Sequence, residues 1–177
     1  MQRPDRSEYH EYYHRYVARV PEGPILELLV TELERTLAVL RRVPLDQADH
    51  RYQVDKWSIK EVIGHVIDSE RAFAYRAFSF ARADPARLPS FEQDDYARYS
   101  NASRRSLADL AEELASLRNC NRLLFNGLDD AMWARRGIAS EVAFTVRSLP
   151  YIIVGHEMHH RSVLEERYLP SVLAGNK

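Results

Sequence analysis

Apolar residues recur at spacings of three and four along most of this chain, and nowhere do they alternate at a period of two for long. Such spacing gathers them on one face of a helix, so the chain must bury helical stripes against one another. Two stripes are clearest. Ile25, Leu28, Leu29, Leu33, Leu37 and Leu40 define a helix from Pro24 to Val43, and Leu107, Leu110, Leu114, Leu117, Leu124 and Leu128 define one from Ser103 to Leu128. Ser58-Ile59-Lys60-Glu61 fits a capping box and opens a helix that runs to Ala83, ahead of Asp84-Pro85. A last helix spans Thr145 to Tyr168 and stops before Pro170. Ser7 to Val20 supplies a shorter one, closed by Pro21-Glu22-Gly23-Pro24. Leu45 to Trp57 reads as a loop, and residues 84–102 as a long connection with at most a short helical turn.

These segments predict an all-α fold: a four-helix bundle with a short extra N-terminal helix and a long crossover connection. The expected organisation is an N-terminal extension over 1–23, a bundle domain over 24–170 and a tail over 171–177. A length of 177 residues suits one domain, and 45% hydrophobic residues are enough for a core. The formal net charge of -1, with arginines such as Arg71, Arg82, Arg104 and Arg135 scattered among acids, argues against nucleic acid as a partner. No apolar run approaches the roughly 20 residues that cross a bilayer, and the polar amino terminus has no signal-like apolar stretch. The chain is expected to be cytoplasmic. Its one cysteine, Cys120, excludes an internal disulfide and reads as a small buried hydrophobe.

Three of the 7 histidines fall in Gly155-His156-Glu157-Met158-His159-His160. On a helical wheel His156 and His160 lie within about 20° of the centre of the apolar stripe, one turn apart. An i, i+4 pair of imidazoles can converge on one cation. The competing reading is two core histidines bonded to neighbours, but burying two imidazoles without strong partners is costly. A third ligand would come from another helix, and His65 is the candidate, although the wheel puts it about 140° from its own apolar stripe. It can serve only if that helix is covered on two sides. Glu70 lies near the centre of the same stripe. It reads as a salt-bridge partner, with Arg167 the suggested cation, or as a group that orients a ligand imidazole. His159, about 80° off the stripe, suits a pocket position. His10, His14 and His50 read as surface groups.

The two segments Trp57-Ser58-Ile59-Lys60-Glu61-Val62-Ile63-Gly64-His65 and His156-Glu157-Met158-His159-His160-Arg161 together resemble the DinB-like superfamily, over about residues 25 to 169. More distantly, the chain is similar to bacillithiol S-transferases and mycothiol-dependent maleylpyruvate isomerases. The resemblance implies a four-helix bundle that holds a divalent metal by three histidines, carried here onto His65, His156 and His160. Ser162-Val163 stands where the family commonly has Gly-Gln. Bundles of this type often pair through helices, which makes a homodimer an expectation.

Three neutral imidazoles leave a divalent ion its full charge and at least one open position. Such a site can activate water or hold a thiol as thiolate. The expected activity is therefore that of a thiol S-transferase or hydrolase acting on a small molecule. Zinc or nickel is the expected metal, with a low-molecular-weight thiol as a further cofactor. Glu70 and His159 are the candidates for handling protons, and Tyr75, Arg76 and His159 for lining the pocket. The alternative is a stress-related binding protein whose metal is structural. It requires a closed coordination shell and little cavity.

Overall fold

The computed structural model describes residues 2–174. In chain order its elements are α1 His14–Val17, α2 Ile25–Leu40, α3 Ile59–Ala81, α4 Gln93–Tyr99, α5 Leu107–Asn126, α6 Asp130–Ala134, β1 Arg136–Ala139, β2 Val142–Thr145, α7 Ser148–Val163 and α8 Leu169–Ala174. The four long helices α2, α3, α5 and α7 form the bundle. Both α2 and α3 pack on α5 and on α7, so each helix has two neighbours and the all-α architecture stands. None of the described helices is long and apolar enough to cross a membrane.

The capping box forms as read. The Ser58 Oγ accepts from the Glu61 amide at 3.3 Å, and a Glu61 carboxylate oxygen accepts from the Ser58 amide at 2.7 Å. The helix it opens, α3, is buried on nearly every side. Its apolar stripe meets α5 and α7, while α4 and the turn Ala102–Arg104 cover the flank that carries Gly64 and His65. That second cover explains why His65, far from the stripe on a wheel, is only 3% exposed.

Several local expectations need correction. The leader is not one helix over 7–20. It makes two 3-10 turns, Arg6–Glu8 and Glu11–Tyr13, and the single turn α1. Tertiary contacts hold it instead: Arg3 donates to the Val17 and Val20 carbonyls at 2.6 and 2.9 Å, and Glu8 accepts from Arg147 and Thr145, all at 2.7 Å. Burial alone would raise the Glu8 carboxyl, but the hydrogen bonds from Arg147 and Thr145 outweigh it and hold it below its ordinary value.

Residues 136–145 form an antiparallel hairpin, with Gly137 opposite Phe144 and Ile138 opposite Ala143. Its turn is Ser140-Glu141 with φ of 52° and 62°, a left-handed pair that Asn-Gly would normally signal. The 84–102 connection carries α4 and adds Leu88 to the hairpin edge, where its amide donates to the Ile138 carbonyl at 2.9 Å. Gly137 is required there, because a Cβ would sit 1.9 Å from Phe80.

The last helix starts at Ser148 rather than Thr145, which ends β2 and accepts from the Ser148 amide through Oγ1 at 3.3 Å. It also does not end at Tyr168. A wider π turn over Leu164–Tyr168 leads into α8, so the chain passes Pro170 without the usual i to i-4 crowding. Of the expected tail, residues 171–174 are helical and 175–177 lie outside the described residues. Cys120 is exposed, because the inward face of α5 carries Leu110, Leu114, Arg118, Asn121 and Phe125.

Candidate metal centre

Helix α3 brings His65 to the bundle interior, and α7 brings His156 and His160 one turn apart on its inner face. Their Nε2 atoms converge. His156 Nε2 lies 3.1 Å from His65 Nε2 and 3.2 Å from His160 Nε2, and the three potential ligand atoms are all within 4.8 Å of one another. Two nitrogens bound to one zinc at the usual 2.0–2.1 Å stand about 3.0–3.4 Å apart, so the spacing fits a shared ion. The protons cannot settle this arrangement by themselves: His156 Nε2 can donate to only one of its two neighbours. Among the described residues, His65 Nδ1 is buried without a partner as well.

Burial pushes the His65 imidazole down to about 4, against the opposing pull of the Asp94 charge. Burial, reinforced by repulsion from the other rings, holds His156 and His160 well below the ordinary histidine value. All three are thus neutral near pH 7, the state a metal requires of imidazole.

The leader completes this region. Tyr16 sets its ring edge-on to His156, with centroids 5.2 Å apart, and leans on His159 at 5.8 Å. The approach is so close that a Cβ at residue 155 would lie 2.1 Å from the Tyr16 carbonyl oxygen. Gly155 therefore fixes where the leader lies relative to the histidines.

Two cavities meet the cluster. The first, about 280 Å³, has His65 and His156 in its wall together with Tyr12, Tyr13, Tyr16, Phe73 and Arg76. The second, about 370 Å³, has His159 and His160 in its wall with Tyr52, Trp57 and Asp94. His159 is half-buried, and its imidazole is lowered by burial and then by the Arg19 and Arg15 charges. Of the residues expected to line one pocket, Arg76 and His159 fall in different cavities. Tyr75 is exposed on a neighbouring groove.

Glu70 does not turn toward the histidines. Its Oε1 accepts from Arg118 Nε at 2.8 Å and from Asn121 Nδ2 at 3.0 Å, and its Oε2 accepts from Arg118 Nη2 at 2.7 Å. Arg118 also donates to Glu157 at 2.7 Å and to the Leu29 carbonyl at 2.7 Å. The suggested partner Arg167 is replaced by Arg118, and both Glu70 oxygens are engaged. None of the hydrogen bonds that Glu70 makes goes to an imidazole. Sequence reasoning missed Arg118, Glu157 and Tyr16. The i, i+3 step from Glu70 to Phe73 and the apolar stripe of α5 gave no sign of which helix faces which.

The sequence profile of the DinB superfamily matches residues 28–164. The chain belongs to the DinB superfamily. The leader that walls the first cavity lies outside the matched segment of this DinB superfamily member. Solved structures share its fold at low identity. YfiT from Bacillus subtilis, described as a probable metal-dependent hydrolase with an unusual four-helix bundle topology, aligns with a TM-score of 0.68 at 17% identity, covering 98% of this chain and 94% of that one. The mycothiol-dependent maleylpyruvate isomerase aligns with a TM-score of 0.68 at 10% identity over 82% of this chain and 61% of that one. A Streptococcus pneumoniae protein aligns at 0.67 and 10% identity over 88% and 97%. No curated protein matches the sequence.

Proposed function

We propose that this DinB superfamily protein is a metal-dependent enzyme acting on a small molecule, by hydrolysis or by thiol S-transfer. In this reading His65, His156 and His160 hold one divalent ion, zinc or nickel. The observation that carries it is the convergence of three Nε2 atoms at a point bordered by cavities. A divalent ion bound by three neutral imidazoles supplies Lewis acidity that deprotonates a water or a thiol near neutral pH.

The chain's own residues do the remaining work. Tyr16 and Phe73 place aromatic rings against His156, at 5.2 and 6.5 Å, and keep bulk water from that side of the cluster. His159, neutral near pH 7 and facing the second cavity, is placed to take a proton from an entering nucleophile. Glu70 and Glu157 hold the backbone positions of α3 and α7 through Arg118 and move no proton. Two cavities bordering the cluster leave room for a small molecule and a second reactant, water in hydrolysis or a thiol in S-transfer. The same cavities weigh against a purely structural metal, which would be enclosed.

Elemental analysis of protein purified without an affinity tag is expected to find one divalent ion per chain, and none in the His156→Ala/His160→Ala variant. Unchanged metal content in that variant would end the proposal. So would a loaded protein that turns over nothing in a panel of thiols with electrophiles and of esters.

A further inference from the structure

Arg76 and Arg118 are the two arginines among the buried side chains, 3% and 1% exposed. Arg118 is neutralised twice over, by Glu70 and Glu157. Arg76 is not neutralised at all: among the described residues no carboxylate lies within 4.0 Å of it. Its Nη2 donates to the Pro89 carbonyl at 3.0 Å and to the Ser140 Oγ at 2.8 Å, both uncharged. Phe73 and Phe144 rings stand 5.5 and 5.9 Å from its Cζ.

A guanidinium carries five N–H donors, and two of them account for the bonds made by Nη2. Nε and Nη1 make no hydrogen bond within 3.5 Å to the described residues, and the group nearest in kind is the uncharged Tyr13 hydroxyl, which feels the guanidinium charge. A buried cation without a counter-charge is costly to keep, and a chain keeps one where an anion arrives to share the site. Arg76 lies in the wall of the same cavity as His65 and His156. The rest of that wall is largely aromatic, with Tyr12, Tyr13 and Phe73; it includes one acid, Glu92, which is exposed and so keeps its charge in solvent.

We infer that Arg76 is the seat for a carboxylate on the substrate. The small molecule this cavity takes is an organic acid with a flat apolar body. Its carboxylate accepts from Arg76 Nε and Nη1, its body lies between the tyrosines and Phe73, and its other end points to His65 and His156. Planar, two-donor recognition of a carboxylate is what arginine supplies and lysine does not. The hairpin turn and the 84–102 connection acquire a purpose here, since Ser140 and Pro89 fix the guanidinium that the acid meets. This inference rests on the proposed enzyme reading only for what happens at the far end of the molecule.

The test is calorimetric binding of benzoate, phenylacetate and fumarate, each beside its uncharged amide, to the zinc-loaded full chain. At least one acid is expected to bind tenfold or more tightly than its amide. Arg76→Gln should erase that preference while leaving metal content unchanged, and Arg76→Lys should keep part of it. In His156→Ala/His160→Ala the preference should survive loss of the ion, which separates this seat from the metal centre. If Arg76→Gln fails to fold, the acid–amide comparison in the unaltered chain and in Arg76→Lys still decides. No acid preferred over its amide, or a preference that Arg76→Gln retains, overturns the inference.

Discussion

Two polar clusters share α3 and α7, and they are built on opposite plans. In the first, Arg118 reaches in from α5 and is answered by Glu70 and Glu157, with Asn121 and the Leu29 carbonyl taking further positions. In the second, three imidazoles face one another across 3.1 and 3.2 Å and beside two cavities. His156 and Glu157 are adjacent in sequence, yet one belongs to each cluster. The closed cluster fastens four helices together, α2, α3, α5 and α7, with Glu157 Oε1 its one buried atom without a partner among the described residues. The open one contributes nothing comparable to stability on its own and is left ready for something from outside. Buried polar groups are therefore no guide to function until their partners have been counted.

The largest effect should come from breaking the closed cluster. Arg118→Met strands two buried carboxylates and is expected to cost about 3–5 kcal/mol in urea denaturation, with or without metal. A cost below about 1 kcal/mol would erase the contrast drawn above.

The leader's anchor is a second closed cluster and gives a pH signature. Glu8 ionises more readily folded than unfolded, because Arg147 and Thr145 donate to it. Its contribution is whole above its ordinary value of 4.5 and drains away as pH falls below that through the depressed folded value. Glu8→Gln should lower stability near neutrality by about 1–3 kcal/mol and remove that acid-side loss. A stability profile below pH 4.5 identical in the two proteins would contradict the anchor.

The open cluster should respond least when no metal is present. In chelator-treated protein His156→Gln, which keeps most of the ring's volume, is expected to change stability by no more than about 1 kcal/mol, since no strong polar partnership is lost. The same substitution should be plainly destabilising relative to the unaltered chain once zinc is supplied. Smallest of all, Cys120→Ser on the exposed face of α5 should stay within about 0.5 kcal/mol.

How much of this could be read beforehand depended on whether the signal was local. His156 and His160 were legible because a helix puts i and i+4 side by side, and the Ser58–Glu61 box because it closes within one turn. His65 was legible through its motif but not through its wheel position, because the cover on its flank comes from α4 and the Ala102–Arg104 turn, elements distant in sequence. The hairpin escaped notice because Ser140-Glu141 adopts a left-handed turn without glycine or asparagine. Arg118 escaped for a different reason. A wheel says which side chains face inward and says nothing of which helix stands opposite.

Gly155 has a consequence for anyone shortening this protein. The missing side chain lets a stretch outside the family-matched segment press its backbone onto the helix of the two paired imidazoles. A version trimmed to residues 28–164 would retain every imidazole of the triad and lose Tyr12, Tyr13 and Tyr16. Its chamber would stand open to bulk solvent. Selectivity measured on such a fragment would describe the bundle and not the whole chain.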